Sequence, residues 1–186
     1  MREALVTIAA ESHRVECLQL RCTSCKLNEL SSLFSSPSPM LKYLYLSLGQ
    51  PRSSIGENNA SGVLASIFAN DTPNLKVLKL QHVAVPWSSP LFGSSLTELT
   101  ILHLDKREWP SVQEFMAILA RCPLLETITL GRLALFHDSA VPLLPTLPKV
   151  QLNNLKHLVL RVCDALSLGA VLGRLQAPIV TLRVEL

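Results

Sequence analysis

Two short stretches of this chain bring together side chains able to do chemistry, the cysteine pair Cys22-Thr23-Ser24-Cys25 and the contiguous His137-Asp138-Ser139. Zinc needs about four thiolate or imidazole ligands, and no second C-x-x-C or H-x-x-x-H completes the first stretch. Thiol–disulfide exchange requires such a pair at a strand-to-helix turn of a thioredoxin-like fold, which the repeat pattern below contradicts. Cysteines 17, 22, 25, 122 and 163 are odd in number, so structural thiols are expected rather than a disulfide framework. In the second stretch the three residues are neighbours, and neighbours do not aim their side chains at one another as a catalytic triad must. No G-x-x-x-x-G-K-[ST] or G-x-G-x-x-G loop is present to cradle phosphate. Histidines 13, 82, 103, 137 and 157 lie on different repeats without ligand spacing, at solvent-facing or partner-facing positions. The expectation is therefore a protein that is no enzyme and uses no metal or cofactor.

Composition says what must position the remaining side chains. The chain has 186 residues, 48% of them apolar and 17% charged, with a net charge of +3. About one residue in five is leucine and only 5% are aromatic, so the core is built from branched aliphatic side chains. That apolar content excludes intrinsic disorder, and the small, dispersed positive excess argues against nucleic acid or anionic lipid as partner. The apolar run Ala4 to Ala10 is a poor signal peptide, since Glu3 and Glu11 bound it and Thr7 interrupts it. With no run of about 18 apolar residues to span a membrane, a cytoplasmic or nuclear location is expected.

The chain repeats itself. A frame of apolar, two variable, apolar, one variable, apolar recurs seven times: Val15-x-x-Leu18-x-Leu20, Leu41-x-x-Leu44-x-Leu46, Leu75-x-x-Leu78-x-Leu80, Leu96-x-x-Leu99-x-Ile101, Leu125-x-x-Ile128-x-Leu130, Leu155-x-x-Leu158-x-Leu160 and Ile179-x-x-Leu182-x-Val184. Their middle residues are 26, 34, 21, 29, 30 and 24 apart. These gaps scatter around the period of about 20 to 29 residues of leucine-rich repeats. The fourth segment is open to a second register, Leu99-x-x-Leu102-x-Leu104. Each frame describes a short strand with alternate side chains turned inward.

Segments of helical period separate the strands. Ser111-Val112-Gln113-Glu114 reads as a capping box, followed by Val112, Phe115, Met116 and Leu119 on one face up to Cys122-Pro123. Thr23 or Ser24 would cap a helix carrying Leu27, Leu30 and Leu33; Asp164 would cap one carrying Leu168, Val171, Leu172 and Leu175. Val63, Leu64, Ile67 and Phe68 suggest another. Pro37, Pro39, Pro73, Pro123 and Pro145 to Pro148 precede strands and stop the helices. Strand, loop, helix and loop form the parallel crossover unit, and one unit cannot bury its own apolar face. The fold expected is α/β: a single leucine-rich-repeat domain over 1–186, a curved right-handed solenoid of about seven irregular repeats. Its parallel sheet would line the concave face, with helices and loops on the convex face. Residues 49–61 read as a mobile loop. Both ends are abrupt, as in a segment of a longer array.

Three stretches carry a family resemblance. Val85-Pro86-Trp87-Ser88-Ser89-Pro90-Leu91, then Leu96-Thr97-Glu98-Leu99, then Pro110-Ser111 opening a helix that ends in Arg121-Cys122-Pro123-Leu124-Leu125-Glu126, resemble the repeat region of fungal F-box-like leucine-rich-repeat proteins. The resemblance implies a substrate receptor of a cullin-type ubiquitin ligase, with the repeats holding the target. A Skp-type adaptor is implied as partner only where an F-box is encoded upstream, since the chain opens inside a repeat helix. The alternative is a truncated or structural repeat segment with no ligase role.

The variable residues beside each middle leucine face the open side of the sheet. From them the expected partner-binding residues on the concave face are Arg21, Tyr43, Tyr45, Lys79, Gln81, His157, Arg161 and Arg183. Tyr43 and Tyr45 beside Lys79 and Arg21 read either as a protein-binding hot spot or as a solvated strand face. Arg161 and Arg183 with Lys79 would attract an acidic peptide. Trp87 and Trp109, each beside a proline, anchor loops rather than touch a ligand.

Overall fold

The computed structural model describes residues 2–23, 27–49, 62–63, 67–133, 149–163 and 165–185. In chain order the elements are α1 (Arg2–Ala10), β1 (Cys17–Thr23), α2 (Leu27–Leu33), β2 (Tyr43–Gly49), β3 (Gly62–Val63), β4 (Val77–Gln81), β5 (Val83–Ala84) and β6 (Glu98–Leu102). There follow α3 (Val112–Arg121), β7 (Thr127–Gly131), β8 (Val150–Gln151), β9 (His157–Arg161), α4 (Ala165–Arg174), β10 (Leu175–Gln176) and β11 (Thr181–Glu185). Seven strands form one parallel sheet in the order β1-β2-β4-β6-β7-β9-β11, and β3 with β5 and β8 with β10 form two small parallel pairs. Successive strands of the main sheet are neighbours and parallel, so every connection between them is a crossover.

The apolar frame sets the register. Leu18, Leu44, Leu78, Leu99, Ile128, Leu158 and Leu182 lie side by side in one row across the sheet. This places the fourth segment on Leu99, while Leu102 ends its strand beside Gln81 on the open face. The row of Leu20, Leu46, Leu80, Ile101, Leu130, Leu160 and Val184 runs parallel to it. Both rows are buried except at β11, where Leu182 and Val184 remain 48% and 37% exposed. Alternation along each strand is thus a division between a core face and an open face.

Each strand is entered and left in the same way. The amides of Leu41, Leu75, Leu96, Leu125 and Leu155 donate to the carbonyls three residues earlier, closing a turn that drops each leucine into the core. The next two amides of each repeat then donate to one carbonyl of the preceding repeat; Lys76 and Val77 both reach Lys42, and Glu126 and Thr127 both reach Thr97. At the far ends of β4, β6, β7 and β9, His82, His103, Arg132 and Val162 adopt left-handed backbone with φ of 55°, 57°, 59° and 52°. This conformation costs a non-glycine residue about 1–2 kcal/mol. It turns the following Val83, Leu104, Leu133 and Cys163 back into the core, where all four are buried.

Helix α3 starts as the sequence predicts. Ser111 Oγ accepts from the Glu114 amide, and the Glu114 carboxylate accepts from the Ser111 amide. Val112, Phe115, Met116, Ile118 and Leu119 are buried along one face. They join the leucine rows, Phe34, Phe68 and Phe92 in one continuous core. Helix α2 lies where Leu27, Leu30 and Leu33 place it, and α4 where Leu168, Val171 and Leu172 do.

Three expectations change. No helix runs through Val63, Ile67 and Phe68: Val63 pairs in β3, Ile67 is extended, and Phe68–Asn70 is a 3-10 turn. There the apolar residues serve a tight turn that buries Phe68 edge-on to Phe34, with ring centroids 5.5 Å apart, and helical spacing alone could not distinguish the two uses. Leu175 leaves α4 to pair with Val150. Gly49 is the last residue of β2 rather than part of a loop. The rest of the 49–61 stretch, together with Ser24, Cys25, His137-Asp138-Ser139, Pro145 to Pro148 and Asp164, lies outside the described residues. Among the described residues, no helix is long and apolar enough to cross a membrane.

Candidate functional site

On the open face, strand pairing brings side chains into rows. Arg21, Ser47, Gln81 and Leu102 form one row; Gln19, Tyr45, Lys79 and Thr100 the next; Cys17, Tyr43, Val77 and Glu98 a third. Ser47 is the small member of its row, set between the long side chains of Arg21 and Gln81. A depression of about 290 Å³ opens across these rows, lined by Gln19, Arg21, Tyr43, Tyr45, Lys79 and Gln81, with Leu80, Thr100 and Leu102 at its side.

Hydrogen bonds and ring contacts hold this site in shape. The Tyr45 hydroxyl donates to Gln81 Oε1 at 2.8 Å, and the Ser47 hydroxyl reaches the same oxygen at 3.5 Å. The Arg21 guanidinium lies over the Tyr45 ring, 5.6 Å from its centroid, and Lys79 Nζ lies 5.8 Å from the centroid of Tyr43. Both are cation–π distances. Lys79 Nζ also donates to Glu98 Oε1 at 2.7 Å. That hydrogen bond holds the Lys79 pKa above the usual lysine value, against a smaller opposing effect of burial.

Five of the eight predicted residues, Arg21, Tyr43, Tyr45, Lys79 and Gln81, therefore share one site. His157, Arg161 and Arg183 do not join it, because β6 and β7 separate their strands from β4. They stand exposed at the other end of the sheet, where Arg161 and Arg183 share Glu185 at 3.5 and 2.8 Å. The trio expected to draw in an acidic peptide is thus divided, and Glu98 and Glu185 already answer its cations. Gln19, Thr100 and Glu98 complete the site without having been singled out from sequence. Their signal is register for two of them, since Gln19 lies directly across from Tyr45 and Thr100 from Lys79, whereas Glu98 lies across from Val77 and reaches Lys79 diagonally.

One further grouping was not evident from spacing. His82 and His103, at the same left-handed position of successive repeats, stack with centroids 4.8 Å apart and planes 14° from parallel. Burial chiefly, then the neighbouring His103 and Arg132, lower the His82 pKa below 6.5, opposed by a backbone hydrogen bond with His103. Between that lowered value and 6.5 the unfolded chain binds a proton that the folded chain refuses, so stability rises with pH across this window and falls on acidification. His82→Gln is expected to flatten the dependence of melting temperature on pH below 6.5 relative to the parent chain. An unchanged slope would show that His82 does not carry it.

The tryptophans anchor loops as expected. Trp87 stacks between Phe92 and Trp109, at 5.5 and 6.0 Å, and its indole N–H donates to the Glu108 carbonyl. Of the cysteines described, Cys17 is an exposed thiol on the open face, where strand alternation puts it beside Tyr43. Cys122 and Cys163 are buried thiols, and burial pushes the Cys122 thiol up to about 11, which leaves it protonated and unreactive near neutral pH. Among the described residues, no group of three or more His, Cys, Asp or Glu could hold a metal ion. Comparison of the chain with protein-family models, with curated proteins and with solved structures gives no match.

Proposed function

We propose that this chain is a leucine-rich-repeat solenoid, curved and right-handed, whose parallel sheet forms the concave face, and that it is a non-catalytic module binding a protein on that face. The observation that carries the reading is the depression over β1, β2 and β4, where two half-buried tyrosines, two cations and an oriented amide converge. Tyrosine and arginine combine apolar area with polar tips and dominate protein-binding hot spots. Sequential parallel strands, a shared frame and a repeated strand-end turn support the solenoid assignment. The P-W-S-S-P-L turn and the helix ending in C-P-L-L-E support kinship with the substrate-recognition repeats of F-box receptors. Joined to an F-box, such a module would present its bound target to a ubiquitin ligase through a Skp-type adaptor.

The test is the double substitution Tyr43→Ala and Tyr45→Ala. Proteins retained by the parent chain are identified by quantitative mass spectrometry, and binding of the purified partner is then measured. Loss of affinity of about tenfold or more is expected, with the chain still folded at a cost of about 1–3 kcal/mol, because both rings are only half-buried on the sheet face. Unchanged capture by a folded double variant would remove this face as the binding site. A parent chain that retains no protein specifically would favour a structural segment instead.

A further inference from the structure

The polar groups at the depression are unequally satisfied. Lys79 and Glu98 neutralise one another at 2.7 Å. Gln81 Oε1 is taken by the hydroxyls of Tyr45 and Ser47, which directs the Gln81 amide N–H groups away from them. Arg21 stacks on Tyr45 and has no carboxylate partner among the described residues. What the site still offers is therefore donors and one positive charge. These donors come from Arg21 and Gln81, which occupy one row on either side of the small Ser47. Strands there lie about 4.8 Å apart, so the two side chains rise from backbones about 9.6 Å apart, with the Tyr45 side chain reaching between them, its ring under Arg21 and its hydroxyl on Gln81. The rings of Tyr43 and Tyr45 supply apolar walls at the same place.

A guanidinium presents its N–H groups as a planar fork that matches a carboxylate. Backbone amides within the sheet are spent on neighbouring strands, so the face recognises a ligand through side chains rather than through the amide nest that captures a chain terminus. We infer that the depression over β1, β2 and β4 takes an acidic side chain of the protein partner, its carboxylate held by Arg21 and Gln81 and its methylenes lying against the tyrosine rings. This deepens the protein-binding reading and rests on it. Arg161 and Arg183 do not offer the same site, because they share Glu185 and no tyrosine flanks them.

The probe is acetyl-Ala-Glu-Ala-amide, titrated into the 186-residue chain while the side-chain N–H resonances of Arg21 and Gln81 are followed by NMR. Saturable shifts of both are expected, weakening as sodium chloride is added. Acetyl-Ala-Gln-Ala-amide is expected to bind at least about tenfold more weakly, and Arg21→Gln to weaken the Glu peptide by a similar factor. Arg21 is exposed, so its replacement leaves the fold intact, and Gln81→Leu provides a second variant that removes the amide donor, keeps the charge and is expected to weaken the Glu peptide as well. Equal shifts from the Glu and Gln peptides, or no saturable shift, would overturn the inference. Tighter binding of inorganic phosphate than of the Glu peptide would overturn it in favour of a phosphate ligand. Partner capture that needs Tyr43 and Tyr45 but survives Arg21→Gln would end the carboxylate inference and leave the protein-binding reading standing; capture indifferent to all three would end both.

Discussion

Leu99→Asp is expected to unfold the chain at room temperature, while Leu102→Asp leaves it folded. Leu99 is completely buried in the row between Leu78 and Ile128. A carboxylate there loses its water with no cation to answer it, at a cost of several kcal/mol, against a total stability of about 5–15 kcal/mol for a domain. Leu102, three residues on, is half-buried at the rim of the depression, where an aspartate keeps contact with solvent. Thermal melts followed by circular dichroism separate the two. The opposite order would mean that the fourth repeat pairs through Leu102 and Leu104. The folded Leu102→Asp variant would also bring a negative charge to the rim of the Arg21 site and weaken binding of the Glu peptide.

Phe115→Ala is expected to cost about 3–5 kcal/mol, measured by urea denaturation. The ring is fully buried on α3 and belongs to the small set of large side chains that fill the space behind the leucine rows. With aromatics only 5% of the chain, few side chains of that volume are at hand to close the cavity. Met116→Leu at the adjoining buried position keeps the volume and should cost less than about 1.5 kcal/mol. Equal effects from the two substitutions would show that the space around Phe115 collapses when the ring is removed.

The open face works under different constraints. Its ion pairs, Lys79 with Glu98 and both Arg161 and Arg183 with Glu185, are exposed or half-exposed, and pairs of that kind add little to stability. Their consequence is for binding, since each one withdraws a cation from any incoming partner. Glu98 does this to Lys79, which leaves Arg21 as the charge on offer beside the tyrosines.

The strand frame, the face to which each frame residue turns and the start of α3 are legible in the order of residues alone. These follow from contacts two to four residues apart, which period and capping chemistry report directly. The seven middle residues predicted from spacing lie in one row, and only the choice between Leu99 and Leu102 needed the pairing itself. Packing of the strands set what depends on neighbours distant in the chain. It gathered Arg21, Tyr43, Tyr45, Lys79 and Gln81 from three strands, left His157, Arg161 and Arg183 at the far end, and gave Lys79 to Glu98 and both arginines to Glu185. It also turned Phe68 into a tight turn and stacked His82 on His103. Periodicity states which side of a strand a residue occupies; which strand lies alongside, and so which charge is answered and which is left over, is set only when the repeats pack.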